Sequence, residues 1–182
     1  MKLVFFLEEP SMKYLLDELL SRIIPQDIEY QTVSHNGKSA LTKSLPNKLR
    51  SWNEPGDIRF VVIHDQDNRD CKELKRSLEE LCRPCGKRVL IRIACQELES
   101  WYFGDMHALS QAYGNERMAQ IKNKSKYRVP DAISNPKEAL RQLLPDHQQI
   151  SGAKRVAPFM SLENNTSVSF QAFLSGVQRL IG

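Results

Sequence analysis

The sequence predicts an α/β fold: a parallel sheet of about four strands flanked by helices, with a helical C-terminal portion. Two observations carry this. Strand-like segments occur at Lys2–Leu7, Ile28–Val33, Arg59–His64 and Arg88–Cys95, the second alternating and the others mainly apolar, and the stretches between them are mostly amphipathic with helical spacing. Strands and helices alternating in this order give βαβ units, which require a parallel sheet. In addition, the third run (Arg-Phe-Val-Val-Ile-His) is apolar enough to be buried on both faces, as central parallel strands are.

The elements follow in order. After the first strand, Ser11–Ile24 carries Tyr14, Leu15, Leu19, Leu20 and Ile23 at helical spacing, and Pro25 stops it. Ile28–Val33 alternates as a second strand, and Gly37 marks the turn out of it. A basic amphipathic stretch, Ser39–Trp52, is interrupted by Pro46 and leads to Pro55-Gly56. Beyond the third strand, Asp70-Cys-Lys-Glu73 has the form of a capping box for a helix reaching about Leu81. The fourth strand ends near Cys95. Past Gln96 the pattern turns to helices and loops: Asn135-Pro-Lys-Glu138 reads as a capped helix start, Ser151-Gly152 as a turn, and Phe170–Ile181 as a last amphipathic helix. No repeat or linker divides the chain. A core over residues 1–104 with a helical extension over 105–182 packed on the same domain is expected.

Composition narrows the class. Apolar residues make up 41% and charged residues 26%, ordinary for a globular protein. The net charge of +4, from 26 basic and 22 acidic residues, permits a nucleic-acid partner without demanding one. Leu3–Leu7 stops at Glu8-Glu9, too short for a signal-peptide core or a membrane span, so a cytoplasmic protein without membrane contact is expected. Cys82-Arg-Pro-Cys85 has the gap of a zinc knuckle or redox pair, but no second pair stands at matching spacing. The four cysteines therefore read as reduced, structural thiols.

Carboxylates at strand ends supply the chemistry. In an open parallel sheet, ligands bind at the carboxyl ends of strands where the order reverses. The first strand ends in Glu8-Glu9 and the third in His64-Asp65-Gln66-Asp67. Residues two apart on an extended segment face one side, so Asp65 and Asp67 are expected to share a pocket with Glu8. Carboxylates held together repel unless a cation neutralises them, and an all-oxygen set suits Mg²⁺. Glu9 reads as a solvated charge, and His64 as a packed structural residue. Glu97 and Glu99 follow the fourth strand near the same rim and are candidates for a second metal or for support, as is the helix cap Asp70.

Basic groups form a second set. Lys122, Lys124, Lys126 and Arg128 surround Tyr127, a pattern in which lysines hold phosphates while a ring stacks on a base, although a solvated loop is the plainer reading. Lys154-Arg155 follows the Ser-Gly turn, and Lys38 follows the second strand; these too are candidate phosphate ligands.

An acid after the first strand and Asp-x-Asp after the third resemble the topoisomerase–primase (Toprim) fold, a Rossmann-like sheet. More closely, the chain resembles a family of uncharacterised bacterial Toprim-like proteins, often encoded beside ABC- or AAA-type ATPases in phage-defence loci. The segments that carry the resemblance span nearly the whole chain. They are Phe6-Leu-Glu-Glu-Pro-Ser11, Asn36-Gly-Lys-Ser39 with Leu45-Pro46, Phe60 to Cys71, Arg92 to Trp101, Ser151-Gly-Ala-Lys with Ala157-Pro158, and Ser167-Val-Ser-Phe170.

The resemblance implies divalent-metal phosphodiester chemistry: Asp65 and Asp67 on the metal-binding pair, and Glu8 where such domains place their general acid or base, with Mg²⁺ or Mn²⁺ as cofactor. Where the family commonly has Gly, this chain has Glu9; where it has a further acid, this chain has Met12-Lys13. The expected function is a Mg²⁺-dependent nuclease of DNA or RNA in antiphage defence, with nucleic acid, an ATPase and a second copy of the chain as partners. The alternatives are an inactive nucleic-acid- or ATPase-binding subunit, and a phosphatase or nucleotidyl transferase acting on small molecules.

Overall fold

A computed structural model describes residues 1–182. Strand β1 (Lys2–Leu7) leads into α1 (Pro10–Ile23), then β2 (Glu29–Ser34), α2 (Lys38–Ser51), β3 (Ile58–Asp65), α3 (Cys71–Cys82) and β4 (Val89–Ala94). Helices follow: α4 (Glu99–Phe103), α5 (Met106–Tyr113), α6 (Arg117–Ile121), α7 (Pro136–Leu143), α8 (Gln149–Val156) and α9 (Val168–Ile181). All strands are parallel, in the order β2-β1-β3-β4. This is the Toprim-like α/β fold with a helical C-terminal portion.

Alternation along the central strands builds two cores. Leu3, Phe5 and Leu7 of β1, with Val61 and Ile63 of β3, face α1 and the C-terminal helices; Val4, Phe6, Phe60 and Val62 face α2 and α3. The chain leaves β1 toward β2 over one face and returns past β1 to β3 over the other, as right-handed crossovers require. The direction of winding therefore reverses between β1 and β3. Their registered ends, Leu7 opposite Ile63, place Glu8 beside the tip of β3.

Three local expectations change. Helix α2 runs through Pro46 unbroken, because Leu41, Leu45 and Leu49 keep one buried stripe across it; burial of that stripe outweighs the missing backbone donor. Ser151-Gly152 lies inside α8, where a Cβ on Gly152 would stand 2.3 Å from the His147 ring. Asn135 has left-handed backbone and no side-chain cap bond. The cap of α7 comes from Glu97, whose Oε2 accepts from the Lys137 N–H at 3.0 Å. No helix is long and apolar enough to cross a membrane. All four cysteines are free thiols.

Candidate active site

Glu8 and Asp65 meet at the reversal point. The Asp65 N–H donates to Glu8 Oε2 at 2.9 Å, and the same oxygen lies 3.0 Å from His64 Nδ1. That nitrogen also faces the Asp65 carbonyl at 2.5 Å. Two acceptors around one ring nitrogen require it to carry the proton. Burial alone would lower the His64 imidazole, but its hydrogen bond to Glu8 and the Glu8 charge raise it. His64 is packed, as expected, and it also positions Glu8.

Asp65 is buried, at 4% exposure, and its Oδ1 has no hydrogen-bond partner. Burial, then the charges of Glu8, Glu9, Glu99 and Asp67, push its carboxyl well above the usual range. Asp67 does not continue the extended strand. At φ +50° it turns left-handed, followed by Asn68 at +61°, and its carboxylate pairs with Lys38 Nζ at 2.9 Å. The turn is fixed by backbone bonds to the loop after β4: Gln66 N–H to Ala94 O and Asp67 N–H to Gln96 O.

The β4 side adds two acids. Glu99 opens α4 at 2% exposure with Oε2 unpartnered, and burial raises its carboxyl to about 7. Glu97 caps α7 and stands 3.8 Å from the Lys137 ammonium. Burial would lower that ammonium, yet Glu99, Glu9, Glu97 and Asp65 raise it. Glu9 is not freely solvated: it accepts from Ser11 Oγ at 2.5 Å and from Gln149 Nε2 at 3.3 Å. Lys137, which the sequence reading did not single out, is thus drawn into the same acidic group. A polar pocket of about 250 Å³ adjoins it, with Lys38 and Asp67 on one wall and Glu97, Asn135 and Pro136 on another.

Other candidates lie elsewhere. Asp70 is exposed and caps α3 through the Glu73 N–H. Tyr127 is no free stacking ring, because it is buried and lies parallel to Phe103 at 5.4 Å. Lys124 and Lys126 are exposed around it. Arg155 bonds the Ala112 carbonyl and lies over Tyr113, tying α8 to α5. Lys154 sits over Tyr14 at 4.0 Å. The Ser167–Phe170 segment is architectural: Ser167 caps α9, and Ser169 Oγ accepts from the Trp101 indole at 2.9 Å.

No three His, Cys, Asp or Glu side chains stand together as a ready ion-binding group. The chemistry of the donors nonetheless fits a hard divalent cation. Glu8, Asp65 and Asp67 offer only oxygen, and Asp65 Oδ1 is a buried acceptor lacking any donor. Lys38 pairs with Oδ2 of Asp67 alone, so Asp67 can offer Oδ1 to the same ion.

Two solved structures share the fold. The C-terminal region of the Burkholderia pseudomallei OLD protein aligns with a TM-score of 0.55 at 16% identity, covering 99% of this chain and 98% of that one. The C-terminal region of the Xanthomonas campestris pv. campestris OLD protein aligns with a TM-score of 0.54 at 15% identity, covering 98% and 95%. No curated protein matches the chain. The chain belongs to the family described as Domain of unknown function (DUF4276), which matches residues 7–178.

Proposed function

We propose that this chain is a divalent-metal-dependent nuclease that hydrolyses phosphodiester bonds of DNA or RNA through Glu8, Asp65 and Asp67. One observation carries the reading. At the single winding reversal of the sheet, a buried, unpartnered aspartate oxygen sits among like charges, bonded through its own N–H to a glutamate from the neighbouring strand. Such a carboxylate is costly alone and inexpensive beside a cation.

A bound Mg²⁺ or Mn²⁺ would supply Lewis acidity toward the phosphate and lower the pKa of a coordinated water. Asp65, Asp67 and Glu8 would hold it. The remaining work falls to the chain itself. With Oε2 fixed by the Asp65 N–H and His64, Glu8 keeps Oε1 to bind or to take a proton from an attacking water. Lys38, on the wall of the same pocket, would contact a phosphate oxygen. The setting implied by the family resemblance is antiphage defence beside an ABC- or AAA-type ATPase.

A test is incubation of the purified chain, with and without such an ATPase, with plasmid and tRNA plus Mn²⁺. Asp65→Ala and Asp67→Ala are expected to lower cleavage by at least about 10²-fold while the melting transition persists. Unchanged cleavage in both variants would sink the proposal.

A second reading rests on the Lys38–Asp67 pair, which neutralises one of the ligands from within. On that reading the domain binds nucleic acid or an ATPase without cutting. It is favoured if the chain binds polynucleotide but neither wild type nor Lys38→Ala cleaves it in Mn²⁺.

A further inference from the structure

The acidic group contains an ammonium ion that the proposed chemistry does not use. Lys137 lies in the first turn of α7, where its backbone N–H donates to Glu97 Oε2 at 3.0 Å and its Nζ stands 3.8 Å from Glu97 Oε1. Both oxygens of Glu97 are thereby directed at one residue. The Lys137 side chain is partly buried, at 26% exposure, and the charges of Glu99, Glu9 and Asp65 act on it as well as that of Glu97.

The first turn of α1 adds no donor to this group, because Met12 there is wholly buried in the core. Its neighbour Lys13 is engaged by Asp17 at 2.8 Å and Thr32 at 2.7 Å. The α1 side thus offers nothing to another cation, while the β4 side already holds one. Glu99 Oε2, buried and without a partner, is a free acceptor at that same place.

We propose that the Lys137 ammonium takes the place of a second metal ion, so that the chain binds a single divalent cation at Asp65, Asp67 and Glu8 while Lys137 neutralises Glu97 and Glu99. This rests on the metal-binding reading above. It follows that removing the ammonium frees a second oxygen site at Glu97 and Glu99, on the pocket that Asp67 also lines.

The experiment is a Mn²⁺ titration by calorimetry, paired with frozen-solution electron paramagnetic resonance, on wild type, Lys137→Met, Lys137→Gln and Lys137→Arg. Wild type and Lys137→Arg are expected to bind one Mn²⁺ per chain with an uncoupled six-line signal. Lys137→Met or Lys137→Gln, whichever remains folded by circular dichroism, is expected to bind two and to show spin coupling. The Lys137→Met/Glu97→Gln double variant is expected to return to one. Two coupled ions in wild type, or a single ion in both neutral variants, overturns the inference but leaves the metal site standing. No Mn²⁺ bound by any of the proteins overturns the metal reading and this inference with it.

Discussion

Burying the Asp65 carboxylate beside Glu8, Glu9, Glu99 and Asp67 costs free energy that no hydrogen bond to Oδ1 returns. Asp65→Asn keeps the shape and removes the charge. In the presence of a chelator it is expected to raise the melting temperature by roughly 2–6 °C; a fall would mean that protein groups alone stabilise the carboxylate. A second prediction concerns His147. Burial and then Arg141 lower its imidazole from 6.5 to about 4, and its Nδ1 shares a 2.7 Å hydrogen bond with the Tyr113 hydroxyl. The native state therefore favours the neutral ring. Its contribution is complete above pH 6.5 and declines toward pH 4, where the unfolded chain has taken up the proton first, by at most about 3 kcal/mol. Melting temperatures between pH 7 and pH 5 should fall less steeply in His147→Gln, and an identical slope in the variant would remove His147 as the cause. At this scale the sequence was only partly legible. Asp65 is readable because an unbroken apolar run leads up to it. Lys137 is not, since it becomes significant only through Glu97, forty residues away.

Secondary-structure elements were legible wherever one apolar face settles the matter, as in β1, α1 and β3. They were misread where a tertiary contact overrides a local signal. Ser151-Gly152 has turn composition, yet the glycine is needed because the His147 ring presses on α8. Gly152→Ala is expected to destabilise the fold by about 1–3 kcal/mol, measured by urea unfolding, despite alanine's better helix propensity; a gain in stability would show that His147 moves aside freely. Helix α7 gives a parallel case. The local signal placed its cap at Asn135, whereas the acceptor is supplied by the loop after β4. Glu97→Ala should cost about 0.5–2 kcal/mol, the range for loss of a helix cap, and Asn135→Gly, which keeps the left-handed backbone while removing the side chain, much less. Equal costs for the two would contradict the assignment.

For the molecule as a whole, the strand order β2-β1-β3-β4 puts one crossover on each side of the β1–β3 pair, and that reversal brings Glu8 to Asp65. Parallel strands in sequence order were readable, and so was the meeting of the first and third. The geometry of Asp67 was not, because a left-handed turn with a lysine partner leaves no mark in the local pattern. The likeness to the C-terminal regions of two OLD proteins, at about one residue in six identical, supports the same arrangement of strands and helices. What the arrangement is for rests on whether these carboxylates take up a divalent ion. The most direct measurement is a Mn²⁺ thermal-shift titration of wild type against Asp65→Asn. At about 100-fold excess over the dissociation constant, wild type should gain roughly 5–10 °C, and Asp65→Asn little or nothing. Equal shifts in the two proteins, or none in wild type, would contradict the account.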